Sequence, residues 1–285
     1  MSAFQYMNIT IEAWSFLFCI LSVIVILTGI YGARQMKQYL LSLFICLGLV
    51  FFADMLIIVF PFFPNGAPAV LYIMAFAEKL FGYIFSFVFL CFLLYLIRFS
   101  SGKEMETLKR RMLFAGSVIF AGAVLLLCVS QVTGILYFFD ENGRCYMGSL
   151  WFLSLFFVFA FLAADIFLLL RFSGVFTAKI LIFLYFCIIF PLGALILQFY
   201  IPQLRLVHFS CTLAALALLV FLFHLQTEKY MLSEQKVTDM QTAVMLSQIQ
   251  PHFLYNSLSY CLLLPGCAKR IPVPRKTLPL LLQNI

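Results

Sequence analysis

Apolar residues fall into seven long blocks, at about positions 11–31, 39–60, 70–97, 112–135, 149–170, 179–200 and 204–225. Each is long enough to cross roughly 30 Å of hydrocarbon as a helix, so the pattern predicts an all-α integral membrane fold with seven spans. The third block is too long for a level span, and Glu78-Lys79 interrupts it. Its first ten residues therefore read as an interfacial lead-in to a core from Leu80 to Ile97. In the sixth block Pro191 and Gly193 predict a bend or a carbonyl freed toward a cavity. Past position 225 the sequence turns polar, with no Gly or Pro until Pro251. A continuous helix of about 25 residues is expected there, rising about 1.5 Å per residue. Along it Tyr230, Val237, Met240 and Val244 recur in steps of seven, three and four, with Ser233 and Ser247 between. Such a short heptad stripe can pair two copies of the chain as a homodimer, or pack one amphipathic helix against its own bundle.

Composition agrees with the bilayer. The chain is 65% hydrophobic and 10% charged, with a mean hydropathy of +1.10, whereas an ordinary soluble domain is about a quarter charged. The net charge of +7 acquires meaning from its placement. Arg34, Lys37, Arg98, Lys103, Lys109, Arg110, Arg111, Arg171 and Lys179 lie in the first, third and fifth connections, and Lys229, Lys236, Lys269, Arg270, Arg275 and Lys276 in the tail. Against these fifteen, the other side holds only Lys79, Arg144 and Arg205. Lys and Arg are retained on the cytoplasmic side during insertion, so the N-terminus is expected outside and the tail inside, which requires an odd number of spans. This distribution argues for a lipid bilayer as partner and against nucleic acid. The first ten residues have no basic n-region, so the first span is expected to stay as an anchor. Asn8-Ile9-Thr10 has the form of a glycosylation acceptor, which matters only in a secretory eukaryotic host. Most of the nine cysteines sit inside apolar runs, where a thiol behaves as a small hydrophobe. No disulfide framework or metal-binding cysteine pair is expected.

Ionisable groups within spans cost about 2.5–3.5 kcal/mol at a helix centre and so mark candidate sites. Asp54 lies in the outer half of the second span, Glu78 and Lys79 near the outer end of the third, and His208 near the outer end of the seventh. Asp140, Glu141, Arg144 and Arg205 fall in outer connections. Asp54, Glu78, Arg144 and His208 thus form a possible sensor pocket for a small ligand or ion. The alternative is that the terminal charges snorkel to the interface. Asp165 and Arg171 are expected to make a structural contact at the inner end of the fifth span. Transporter signatures, such as paired broken helices in two halves, do not stand out.

The segment LSQIQPHFLYNSL, Leu246 to Leu258, places His252, Asn256 and Ser259 on one face of a helix, with Leu254, Leu258 and Cys261 on another. Pro251 predicts a bend just before the histidine. Neutral imidazole has a nitrogen lone pair able to attack the γ-phosphate of ATP. This box resembles the phosphoacceptor box of the LytS/YehU-type sensor histidine kinases, in which a multi-pass membrane domain precedes P-H-F-L-x-N-x-L. The resemblance covers about thirty residues firmly and the seven-span architecture loosely. It implies that His252 is the phosphorylated catalytic residue, Asn256 an orienting neighbour, and Phe253, Leu254 and Leu258 the scaffold of a helical hairpin. It also implies a homodimer, a response regulator as partner, and a bacterial inner membrane location. The corresponding organisation is a sensor domain over 1–225, a helical linker over 226–245, a phosphoacceptor helix over 246–260 and an atypical tail over 261–285.

After Tyr260 the family pattern ends. The family continues into a second hairpin helix and a separate domain that binds ATP and Mg, whereas Pro265, Pro272, Pro274 and Pro279 here forbid a long regular helix. The expectation is a truncated or frameshifted chain that binds no cofactor of its own and is not an active kinase alone. A seven-span receptor or small-molecule permease without enzymatic output is the competing class.

Overall fold

The computed structural model describes residues 3–29, 34–60, 68–101, 106–140, 145–200 and 205–263. Glu141 and Arg144 of the outer connections and the proline-rich tail from residue 264 lie outside the described residues. The chain divides into two units, Met1–Gln226 and Thr227–Ile285.

Seven α-helices carry the seven apolar blocks: α1 (Ala3–Gly29), α2 (Arg34–Val59), α3 (Pro68–Ser101), α4 (Glu106–Thr133), α5 (Phe152–Arg171), α6 (Ala178–Tyr200) and α7 (Leu206–Leu263). Six of them, α1 to α6, are long and apolar enough to cross a membrane. The apolar part of α7, Leu206–Phe221, is shorter than those six and is followed by His224 and Gln226. Large apolar side chains face outward along these helices, among them Trp14, Leu21, Ile24, Phe114, Leu125, Ile182 and Ile189. Water would oppose such a surface, and lipid accepts it.

Helix α2 packs against both α1 and α3, and α3 packs in turn against α4 and α5. The main core gathers Cys19 and Ile26 from α1, Leu40 to Phe51 from α2, Leu90 to Ile97 from α3, and Phe161, Leu168 and Leu169 from α5. Leu184 and Ile188 of α6 and Leu218 and Leu219 of α7 complete it. Phe183 stacks on Phe221 with centroids 4.0 Å apart. Helix α3 is a single helix of 34 residues, about 50 Å long, running through Glu78 and Lys79. Likewise α6 continues through Pro191 and α7 through Pro251. A proline removes one amide donor; around Pro191 of α6 an apolar surrounding penalises every further break in the backbone ladder.

At one end of the bundle Gly134, with φ of 66°, closes α4 by donating its N–H to Ser130 O at 2.9 Å. There follows an antiparallel hairpin of β1 (Tyr137–Phe139) and β2 (Cys145–Met147), with Tyr137 opposite Met147. The hairpin docks on α3 through Phe139 N–H, which donates to Tyr72 Oη at 3.1 Å, while Gln131 Nε2 donates to Tyr137 Oη. Burial pushes the Tyr137 phenol up to about 12, so it remains a neutral hydrogen-bonding group. Ile57, Leu71, Ala75, Ala123, Leu127 and Leu136 form a second core under the hairpin.

Gly148 sits where a β-carbon would run into the backbone carbonyls of Gly134 and Ile135. We expect Gly148→Ala to destabilise this end by about 1–3 kcal/mol. A fall of several degrees in Tm, measured in detergent by tryptophan fluorescence, checks it; an unchanged Tm would show that the turn can relax.

Candidate functional site: a buried charged cluster and an adjoining cavity

Four ionisable side chains from three helices and one loop meet where α1 begins, α2 ends and α7 begins. Glu12 lies in the third turn of α1 and is 0% exposed. Asp54, five residues before the end of α2, is also 0% exposed. His208 stands in the first turn of α7, and Arg205 just precedes that helix. His208 Nδ1 lies 2.9 Å from Glu12 Oε1 and 3.2 Å from Asp54 Oδ2, and Arg205 forms an ion pair with Asp54 Oδ1. The imidazole is tilted against the Phe51 ring, with centroids 5.8 Å apart.

The start of α7 is held in place by polar contacts as well. Arg205 N–H donates to Asn8 Oδ1 at 3.2 Å. Val207 N–H, one of the amides a helix start leaves without an intrahelical partner, donates to Gln198 Oε1 at 3.3 Å. Asn8 is buried in this arrangement, which leaves no room for a glycan at the Asn8-Ile9-Thr10 sequon.

Two carboxylates face one guanidinium, leaving one negative charge to be offset by a proton on His208 or by a cation. Glu12 Oε2 has no hydrogen-bond partner among the described residues. One ligand atom from each of Glu12, Asp54 and His208 lies within 4.8 Å of the others, a spacing that a metal ion can bridge.

His208 also lines a cavity of about 300 Å³ between α2, α3, α5, α6 and α7. Its walls are mainly apolar, with Leu47, Val50, Phe85, Phe161 and Ile188 among them, and its polar groups are few: Glu78, Lys79, Tyr83, Ser86, Ser154, Asp165 and His208. Lys79 Nζ donates to Glu78 Oε1 at 2.9 Å. Tyr83 Oη and Asp165 Oδ1 are buried without a hydrogen-bond partner among the described residues. An apolar chamber with a few unsatisfied polar groups is the ordinary form of a small-molecule site.

Of the sequence-predicted pocket residues, Asp54 and His208 are in direct contact, and Glu78 shares the cavity wall with His208; Arg144 lies outside the described residues. Sequence reasoning missed Glu12, a carboxylate at the edge of the first apolar block that its span-by-span reading passed over. It assigned Arg205 to a connection without pairing it to Asp54. The expected Asp165 contact with Arg171 does not form: among the described residues no ion pair joins them. Arg171 lies 5.7 Å from the Phe172 ring centroid, and Asp165 turns to the cavity. Cys187, four residues before Pro191 and so lacking the proline's amide as a helical partner, lines the same cavity with it.

In the second unit, Tyr230, Val237, Met240 and Val244 are all exposed. His252 lies within α7, and Asn256 is exposed on the same helix.

Removing Arg205 leaves the Asp54 carboxylate buried without its strongest partner, which typically costs about 3–5 kcal/mol. We expect Arg205→Leu to lower Tm sharply and the double variant Arg205→Leu/Asp54→Asn to recover most of the loss. Equal Tm for the single and double variants would show that the pair is not coupled.

No family model matches this chain, and no curated protein or solved structure shows a significant similarity to it.

Proposed function

We propose that this chain is the membrane sensor and phosphoacceptor portion of a two-component histidine kinase, with His252 receiving the phosphoryl group. The observation that carries the reading is α7 itself. One uninterrupted helix, Leu206–Leu263, begins at the buried charged cluster and contains the whole LSQIQPHFLYNSL box. In this reading the apolar part of α7 is a seventh span, the N-terminus lies outside a bacterial inner membrane, and residues from 226 onward lie in the cytoplasm. The excess of Lys and Arg on the tail side supports that orientation. The exposed stripe of Tyr230, Val237, Met240 and Val244 supports pairing of two copies through a heptad seam.

The chemistry asked of His252 is simple. A ring nitrogen attacks the γ-phosphorus of ATP, an N–P bond forms as the bond to the ADP oxygen breaks, and ADP leaves. The phosphoryl group then passes to an aspartate of a response regulator. An ATP-binding domain of the kinase class supplies ATP and Mg, and Asn256, one turn beyond His252, orients the imidazole. The stimulus acts on the bundle at the cavity lined by Glu78, Asp165 and His208.

Phosphotransfer from γ-labelled ATP is the test. The full chain in lipid nanodiscs is mixed with a separately purified ATP-binding domain of this kinase class, and acid-labile label is followed. We expect label on wild type, a loss of at least tenfold in His252→Gln, and a partial loss in Asn256→Ala. Equal label on His252→Gln would overturn the assignment. The cavity favours one other reading, a receptor or small-molecule permease with no enzymatic output. That reading predicts solute uptake into vesicles that His252→Gln leaves unchanged.

A further inference from the structure

We infer that Glu12, Asp54 and His208 form a binding site for one divalent metal ion of the zinc class. The inference stands apart from the phosphoacceptor reading, because it rests only on the first unit and its test measures metal.

The first argument is geometric. Zinc takes carboxylate oxygen and imidazole nitrogen at about 2.0–2.2 Å in a tetrahedral arrangement, which sets neighbouring ligand atoms about 3.3 Å apart. His208 Nδ1 already lies 2.9 Å from Glu12 Oε1 and 3.2 Å from Asp54 Oδ2, so shifts of a few tenths of an ångström would admit the ion. The three ligands come from α1, α2 and α7, which the main core packs together, and the cluster therefore exists before any ion arrives.

The second argument is electrostatic. Glu12 and Asp54 are wholly buried, and Arg205 offsets only one of them. Glu12 Oε2 has no partner among the described residues, which a purely structural ion-pair network would avoid, since a buried unsatisfied carboxylate oxygen is costly. Arg205 occupies Asp54 Oδ1 and leaves Oδ2 turned to His208. That is the role of an outer partner that fixes a metal-binding carboxylate in orientation.

Ligand chemistry selects the ion. Imidazole with two carboxylates suits zinc and its neighbours. Calcium asks for six to eight oxygens, and magnesium for an octahedral shell rich in water. Three protein ligands leave one position of a tetrahedral ion for water or another small ligand. His208 also lines the 300 Å³ cavity, so the same side chain joins the ion site to a chamber from which such a ligand can come.

The experiment uses the full chain, washed with chelator and reconstituted in nanodiscs. Zn2+ is the probe, bound metal is counted by elemental analysis after equilibrium dialysis, and X-ray absorption reads the ligand shell of the wild type. We expect one ion per chain, a shell of oxygen and a single imidazole at about 2.0 Å with no sulfur, and affinity unchanged in His252→Gln. Glu12→Gln and His208→Gln should each weaken binding at least tenfold. No stoichiometric ion in the wild type would overturn the inference, as would a sulfur shell or wild-type affinity in both variants. Should either variant fail to fold, the wild-type shell decides: one imidazole with oxygens supports the site, and any other shell removes it.

Discussion

Two carboxylates placed where no water reaches them are the constraint around which this bundle closes. Glu12 and Asp54 are among the most buried residues of the chain, and an uncompensated charge in an apolar interior costs several kcal/mol. Neither can be satisfied by its own helix, whose backbone groups are already committed. Satisfaction comes from Arg205 and His208, which lie 151 and 154 residues beyond Asp54 and, for His208, 196 beyond Glu12. The start of α7 therefore has little choice of position: it must present its guanidinium and imidazole where α1 begins and α2 ends. The amide contacts from Asn8 and Gln198 fix the same segment with neutral hydrogen bonds. Hydrophobic burial can hold helices together in many registers, but a buried ion pair with defined partners accepts few.

The rest of the polar chemistry inside the bundle follows from the same rule. Of the buried polar residues outside the cluster, Glu78 and Asp165 line the chamber reached by His208, and several of the others are Ser and Thr within the helices. Glu78 is met by Lys79 beside it. Tyr83 and Asp165 keep unsatisfied atoms, and they do so on the cavity wall rather than against packed side chains. Cys187 and Pro191 line that wall too. Elsewhere the spans obey the apolar solvent, with outward-facing Leu, Ile and Phe and unbroken backbone ladders.

Much of this was legible in the sequence, for reasons that can be stated. Every apolar block became a helix because length and hydropathy act locally, and six of the helices are long enough to span. Asp54, Glu78 and His208 could be singled out because a charge in an apolar run is conspicuous. Their partners could not, since pairing is a property of the fold: Glu12 sits at the margin of a block, and Arg205 reads as one loop cation among others until α7 is docked. The error over Asp165 has the same origin. Sequence proximity suggested Arg171, six residues away, while helical geometry sends the two side chains to different surroundings. Pro191 and Pro251 each remove a donor, but in α6 and α7 the remaining ladder bonds keep the helix continuous.

The position of the charged cluster at the very start of α7 matters for any signal. A ligand or ion shifts a conformational equilibrium only by its differential affinity for the two states. At this site such a difference is available, because whatever occupies the space between Glu12, Asp54 and His208 changes the electrostatic balance that seats the helix start. A change of occupant in water would be screened away; here both carboxylates are fully buried, and the interaction is felt at close to its full strength. Among the described residues, helix α7 both contributes to the cluster and contains the His252 box.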